Sequence, residues 1–333
     1  MNRADGRPVK VLLLVMDEQR VLLDRLYEIV RQHCQACVVQ RLTKAQQMNL
    51  GPFLAGVQHE QFDRVVIFSR IKRLAPQLRV LRCVPGLIFL EHDAYQNYMP
   101  SSKYQHLYSR LYGRLPSSRA LVSGAVVAQR MQAEGIDAVF VSKGYDDDML
   151  HNLGAKRDIP VGFLGSLKSK EYAQRKAILE SLQSKTGMLV TRTESGDEYL
   201  QMLNRIKVFV SADIGMGEFM IKNFEAMACG CVLLAWSQGE EDRLLGFEDM
   251  HNVVFYQSEA QALEKLALLQ ADPALAERIA RNGQAFAQAN YGFSRVGRDL
   301  AAAIEAPMRP WQAPGWLTRQ WVKWRHGLEA PGS

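Results

Sequence analysis

Cysteine is scarce, with five in 333 residues, so the chain is not a disulfide-stapled scaffold and its thiols are expected to be reduced. Long apolar runs are missing too. The longest near the start, Val9 to Met16 interrupted by Lys10, falls well short of the roughly 20 residues that cross a bilayer. It follows a polar start without a small-residue cleavage site, so no signal peptide is expected and the protein is placed in the cytoplasm. Familiar catalytic strings are also absent. There is no GxxxxGK followed by Ser or Thr, no HExxH and no GxSxG, and the seven histidines are scattered. Gly215-Met-Gly217 lacks a third glycine and precedes a helix late in the chain, so a dinucleotide fingerprint is not met. No metal site and no cofactor are expected.

What is present fits a soluble globular protein, at 47% hydrophobic and 23% charged residues, and the length favours two domains over one core. The charge is uneven. Residues 1–157 hold 22 Lys and Arg against 14 Asp and Glu, a net of +8, whereas 158–308 hold 15 against 20, a net of −5. The last stretch, 309–333, adds a net of +3 from four basic residues and one acidic. Two halves facing different partners would account for this. Nucleic acid is not expected as a partner, because the basic and aromatic residues form no recognisable RNA or DNA module.

Short β-type runs alternate with amphipathic helical ones, which is the pattern of α/β folds built on parallel sheets. Strands are expected at Val9 to Val15, Cys37 to Leu42, Arg64 to Phe68, Leu87 to Leu90, Ala120 to Ser123 and Ala138 to Val141. A second series follows at Val161 to Leu164, Gly187 to Val190, Val208 to Val210, Cys231 to Ala235 and Asn252 to Phe255. Expected helices include Val21 to Val30, Tyr172 to Gln183, Asp197 to Asn204, Phe219 to Ala228, Ala260 to Leu269 and Ala274 to Ala289. The domain boundary is set near residue 155, giving domains 1–155 and 156–306 and a tail 307–333.

The tail holds four of the five tryptophans. Leu317, Trp321, Trp324 and Leu328 are spaced four, three and four apart, one stripe on a helix, with Arg319, Lys323 and Arg325 off it. Such a helix suits either a membrane interface or docking on the protein's own surface. Cys34-Gln-Ala-Cys37 has CxxC spacing but no second pair, and is read as packing at a helix end.

The segment from Gly215 to Ala235 is the most informative. It reads as a glycine-containing loop, a helix from about Phe219, a glycine stop at Gly230 and a buried strand. A helix N-terminus facing such a loop can hold an anion such as a diphosphate. Lys222 and Glu225 are three apart and share a face, so a cation beside phosphate and a carboxylate accepting from ribose hydroxyls would grip a nucleotide.

This segment resembles the donor-nucleotide signature of GT-B glycosyltransferases of the retaining family-4 type, above all the divergent branch related to spore-maturation glycosyltransferase-like domains. The matching string is Lys222-Asn-Phe-Glu-Ala-Met-Ala-Cys-Gly230. The resemblance implies a GT-B fold of two Rossmann-like domains and a nucleoside-diphosphate sugar as donor. It makes Glu225 the second of the family's two glutamates. The first would fall at Gly217, with Glu218 one position away. Gly165-Ser166 resembles the turn that opens the donor domain, and the diphosphate-binding Arg and Lys are sought among Lys168, Lys170, Arg175 and Lys176. Lys143-Gly-Tyr-Asp146 resembles the turn ending the first domain. His92-Asp93 resembles a His-Asp pair that meets the donor sugar. Met16-Asp17-Glu18-Gln19 stands where the family usually has a glycine pair.

The implied donor-binding set is Gly165, Ser166, Lys168, Arg175, Lys222, Asn223 and Glu225, with His92, Lys170 and Glu218 at the reacting centre. The expected enzyme moves a sugar to a glycan or glycolipid of the envelope-polysaccharide or lipopolysaccharide-core type, retaining and without a metal. It would work on the inner face of the cytoplasmic membrane with peripheral contact through the tail. The alternatives are a catalytically weak GT-B assembly or binding module and a GT-B-type sugar-nucleotide epimerase.

Overall fold

A computed structural model describes residues 7–18, 23–167 and 173–330. The chain divides into two compact units, residues 1–142 with 296–333, and residues 143–295.

The first unit is built on six parallel strands: β1 (Lys10–Met16), β2 (Ala36–Leu42), β3 (Arg64–Phe68), β4 (Leu87–Glu91), β5 (Arg119–Val122) and β6 (Asp137–Phe140). They are ordered β2-β1-β3-β4-β5-β6. Each lies on an expected apolar run, because a parallel sheet covered on both faces needs continuous rather than alternating apolar residues. Val11 to Val15 are all essentially inaccessible to solvent. The second unit has β7 (Ile159–Leu164), β8 (Leu189–Thr191), β9 (Ile206–Ser211), β10 (Val232–Trp236) and β11 (Val254–Tyr256), ordered β11-β10-β9-β7-β8 and again all parallel. Its core joins Phe163, Phe209 and Leu234 of the strands to Phe224 and Met227 beneath them. Both units are therefore α/β and Rossmann-like.

The structure differs from the expected boundaries in two ways. The units separate between residues 142 and 143, not near 155, because Tyr145 is tied into the second unit. Its N–H donates to the Tyr291 carbonyl at 2.9 Å, and its carbonyl accepts from the Phe293 N–H at 2.8 Å. From Val296 on, most of the helix Phe293–Glu305 and the described residues after it belong with the first unit. Two arginines at strand starts hold this return. Arg64 Nε donates to the Ile304 carbonyl at 3.1 Å, and Arg119 donates to the carbonyls of Ala303 at 3.0 Å and Pro307 at 2.6 Å. Cations on the last carbonyls of a helix favour its dipole as well as its hydrogen bonding. Gly297 lets that helix approach the helix Asp24–His33, since a Cβ there would lie 2.5 Å from Ile29 Cγ2.

Cys34, which caps the end of the helix Asp24–His33, and Cys37, the second residue of β2, are free thiols. The tail forms a helix Trp316–His326, which packs against the helices Leu50–Gly56 and Leu78–Arg82. It ends at Gly327, whose φ of +68° a side chain would resist, so Leu328 leaves the expected stripe and turns inward.

Candidate donor site of the second unit

In an open parallel sheet the crevice for ligands lies beyond the carboxyl ends of the strands where the strand order reverses. In the second unit that point is between β7 and β9. Gly165 and Ser166 follow β7, and Ala212 and Asp213 follow β9. The absent side chain at Gly165 matters locally. A Cβ there would lie 2.9 Å from Phe163 Cζ and 3.3 Å from Lys222 Cε, so glycine lets the ring and the lysine stem close against the backbone.

The helix starts two residues later than expected, spanning Ile221–Ala228. Phe219 is withdrawn into the core, its ring 4.5 Å from that of Phe247, and Met220 is left extended as the N-cap with no capping bond from its side chain. Lys222 consequently falls in the first turn, where helix amides and a cation together favour an anion. Gly230, at φ +83°, ends the segment as expected.

Asp213 is the centre of the loop. Its Oδ2 accepts from Asn223 Nδ2 at 3.0 Å, Ser211 Oγ at 3.0 Å and the Met220 N–H at 3.4 Å, and Arg175 pairs with its Oδ1. Gln238 closes the other side, accepting from the Gly217 N–H at 2.9 Å and donating to the Asp213 carbonyl at 2.9 Å. A positive φ at both Gly215 and Gly217 lets the loop take this course.

Lys222 and Glu225 are both half-buried. The Lys222 ammonium lies over the Tyr199 ring, 4.8 Å from its centroid, and Tyr199 Oη donates to Glu225 Oε2 at 2.6 Å. Burial pushes the Glu225 carboxyl upward in pKa, against the pull of Lys222 and the Tyr199 hydroxyl. Burial likewise lowers Lys222, with Glu225 opposing. The two charges thus support one another, with the Lys222 stem against Gly165.

Other expected residues are placed as follows. Asn223 is buried, with Nδ2 on Asp213 and Oδ1 meeting no donor among the described residues. Arg175 is buried in its pair with Asp213, and Lys176 is exposed and pairs with Glu180 at 3.6 Å. Glu218 is buried and paired with Lys143 at 2.7 Å. Lys168 and Lys170 lie outside the described residues, and Ser166 is half-buried after β7. In the first unit His92 follows β4, its ring 5.1 Å from that of Phe68. Sequence reasoning missed Asp213, Tyr199 and Gln238. Only Asp213 had a readable signal, as an acid just after a buried strand at a crossover.

Residues 145–302 match the family model described as glycosyl transferase-like. That stretch is a glycosyltransferase-type enzyme domain. The chain as a whole has the GT-B fold. It aligns with Anabaena HepE solved with UDP and glucose at 15% identity, covering 90% of this chain and 100% of that one, with a TM-score of 0.66. Sucrose-phosphate synthase from Thermosynechococcus elongatus aligns at 12% identity over 88% of this chain and 98% of that one, with a TM-score of 0.65. A glycosyltransferase from Rickettsia africae aligns at 10% over 89% and 98%, with a TM-score of 0.58. No curated protein matches the chain in sequence.

Proposed function

We propose that this glycosyltransferase takes a nucleoside-diphosphate sugar in its second unit and passes the sugar to a glycan or glycolipid at the inner face of the cytoplasmic membrane. The envelope-polysaccharide or lipopolysaccharide-core class is the acceptor favoured by the basic first half of the chain. The observation that carries the reading is the Lys222, Tyr199 and Glu225 arrangement beside Gly165. The diphosphate would lie against the Gly165 backbone and the first turn of the helix Ile221–Ala228. Lys222 would neutralise charge that grows on the leaving diphosphate, a route that needs no metal. Glu225, held by Tyr199, would accept from the ribose hydroxyls. Front-face attack with retention accords with the family-4 resemblance in Lys222 to Gly230, as does a place in the spore-maturation-related branch. The complexes of HepE with UDP and with UDP-glucose make the uridine series the first to test.

Calorimetric titration with UDP and UDP-glucose tests the reading. Glu225→Ala should weaken binding about thirtyfold, the loss of about 2 kcal/mol that charged hydrogen bonds contribute. A wild-type chain that binds no nucleoside diphosphate would sink it. Turnover that survives EDTA and yields the donor's anomer supports the metal-free, retaining form. The Lys143–Glu218 pair favours a second reading, because it occupies the acid nearest to the family's first glutamate. Nucleotide binding without transfer or hydrolysis would mark a weak or non-catalytic module, and product from donor alone an epimerase.

A further inference from the structure

We propose that the outward face of the helix Trp316–His326 docks on the surface of an anionic lipid bilayer. The helix is seated by a narrow inner face. Val322 is fully buried, Leu328 and Ala330 follow it inward, and His326 lies so close to Gly51 that a Cβ there would be 2.6 Å from its Cγ. The outer face is left open. Trp316, Leu317 and Trp324 are 62%, 76% and 81% exposed, and Trp321 is 38% exposed. At 100° per residue, Leu317, Trp324 and Trp321 point in nearly one direction, Trp316 borders them, and Lys323 and Arg325 flank the group on either side. A monomer rarely leaves a cluster of large apolar side chains in water without using it.

Charge selects the occupant. Arg79 lies over the Trp321 ring at 4.9 Å, and Arg82 is exposed on the same neighbouring helix. Arg79, Lys323 and Arg325 thus put three cations beside the indoles, and Arg82 adds a fourth on the neighbouring helix. Glu329 pairs with Lys323 at 2.7 Å, but both groups are solvated, so the pair holds the lysine weakly. A second copy packed by two-fold symmetry would set these like charges facing each other. Lipid phosphates would neutralise them, while indoles settle at headgroup depth and Leu317 reaches the acyl boundary. No helix among the described residues is long and apolar enough to cross a membrane, so the contact is interfacial.

The test is sedimentation of the full chain with vesicles of phosphatidylcholine containing phosphatidylglycerol, and with phosphatidylcholine alone. The wild type should pellet with the anionic vesicles, with a blue shift of tryptophan emission, and less so as salt rises. Lys323→Gln with Arg325→Gln should lower partitioning to anionic vesicles about thirtyfold, and to neutral ones little. Trp316→Ser, Leu317→Ser and Trp324→Ser together should abolish binding while leaving the melting temperature and UDP affinity unchanged, since all three side chains are outside the fold. Equal pelleting of the triple variant overturns the proposal. So does light scattering that shows a wild-type dimer which the triple variant breaks, with no vesicle binding by either.

Discussion

In both sheets the strand order reverses next to the first strand, between β1 and β3 in one unit and between β7 and β9 in the other. The fold thus offers a crevice twice, and the side chains at each decide its use. In the first unit the crossover is filled from within. Gln47, buried on the helix Lys44–Met48, accepts from Ser69 Oγ at 3.0 Å and from Arg73, and Arg73 reaches Glu18 at 3.0 Å. In the second unit the corresponding strand end carries Gly165, with the Phe163 ring and the Lys222 stem against it. The first crossover is thus tied together by its own side chains, and the second, with a cation and a carboxylate near it, is the one proposed above to take the donor.

The comparison breaks hardest at Asp213. Asp213→Ala removes the carboxylate that balances the buried Arg175 guanidinium and releases Asn223 and the Met220 N–H. A loss of about 3–5 kcal/mol and a melting drop near 10 °C are expected, together with loss of UDP binding. A variant that melts normally would show that Asp213 is not the centre of this loop. Lys143→Met removes one partner of a single buried pair and should cost about 3 kcal/mol. Pairing it with Glu218→Leu should recover most of that loss in urea unfolding. If the double variant is no better than the single one, the ion pair does more than balance charge.

In the first unit Gln47→Leu should cost about 2 kcal/mol by removing an acceptor shared by Ser69 and Arg73. UDP affinity should be unchanged. An equal loss of stability and of nucleotide binding would erase the distinction between the filled and the open crossover.

Much of this contrast was readable from the residues. The strands were, since each needs a continuous apolar run, and β3 falls on the expected Arg64 to Phe68 without shift. The helix carrying Lys222 and Glu225 was readable from its glycine stop, but not its start, because Phe219 is apolar like a first-turn residue and only the ring of Phe247 reveals that it is spent in the core. Amphipathicity also shows that residues 293–305 bury a face without showing which sheet receives it. Arg64 and Arg119, far away in sequence, settle that. Tyr199 was invisible for the same reason, since its partner lies on another helix.

A subtler difference lies in how the units bury carboxylates. Glu225 is held beside a cation, whereas Glu91 at the end of β4 is buried and accepts from the Tyr112 hydroxyl at 2.6 Å. Burial raises its pKa from 4.5 to about 8, with Asp93 adding to the rise and Tyr112 opposing it. The folded state then holds a proton that the unfolded chain releases, so stability falls as pH rises from 4.5 to about 8. Glu91→Gln should flatten the melting temperature across that range. An unchanged slope would mean that Glu91 titrates like an ordinary glutamate.

The smallest expected effect on folding is the one that sharpens the contrast most. Gly165→Ala adds a single methyl at the open crossover, where Phe163 Cζ would be 2.9 Å away and the Lys222 stem 3.3 Å. The lysine can swing aside and the ring can shift slightly, so about 1 kcal/mol of stability is lost. The methyl nevertheless pushes on the Lys222 stem and displaces the ammonium that would meet a diphosphate. UDP affinity should therefore fall by more than the stability does, about tenfold for the 1.4 kcal/mol that a poorly seated phosphate forfeits. Unaltered UDP affinity in Gly165→Ala would move the nucleotide away from the crossover between β7 and β9, and with it the reason for reading the two units differently.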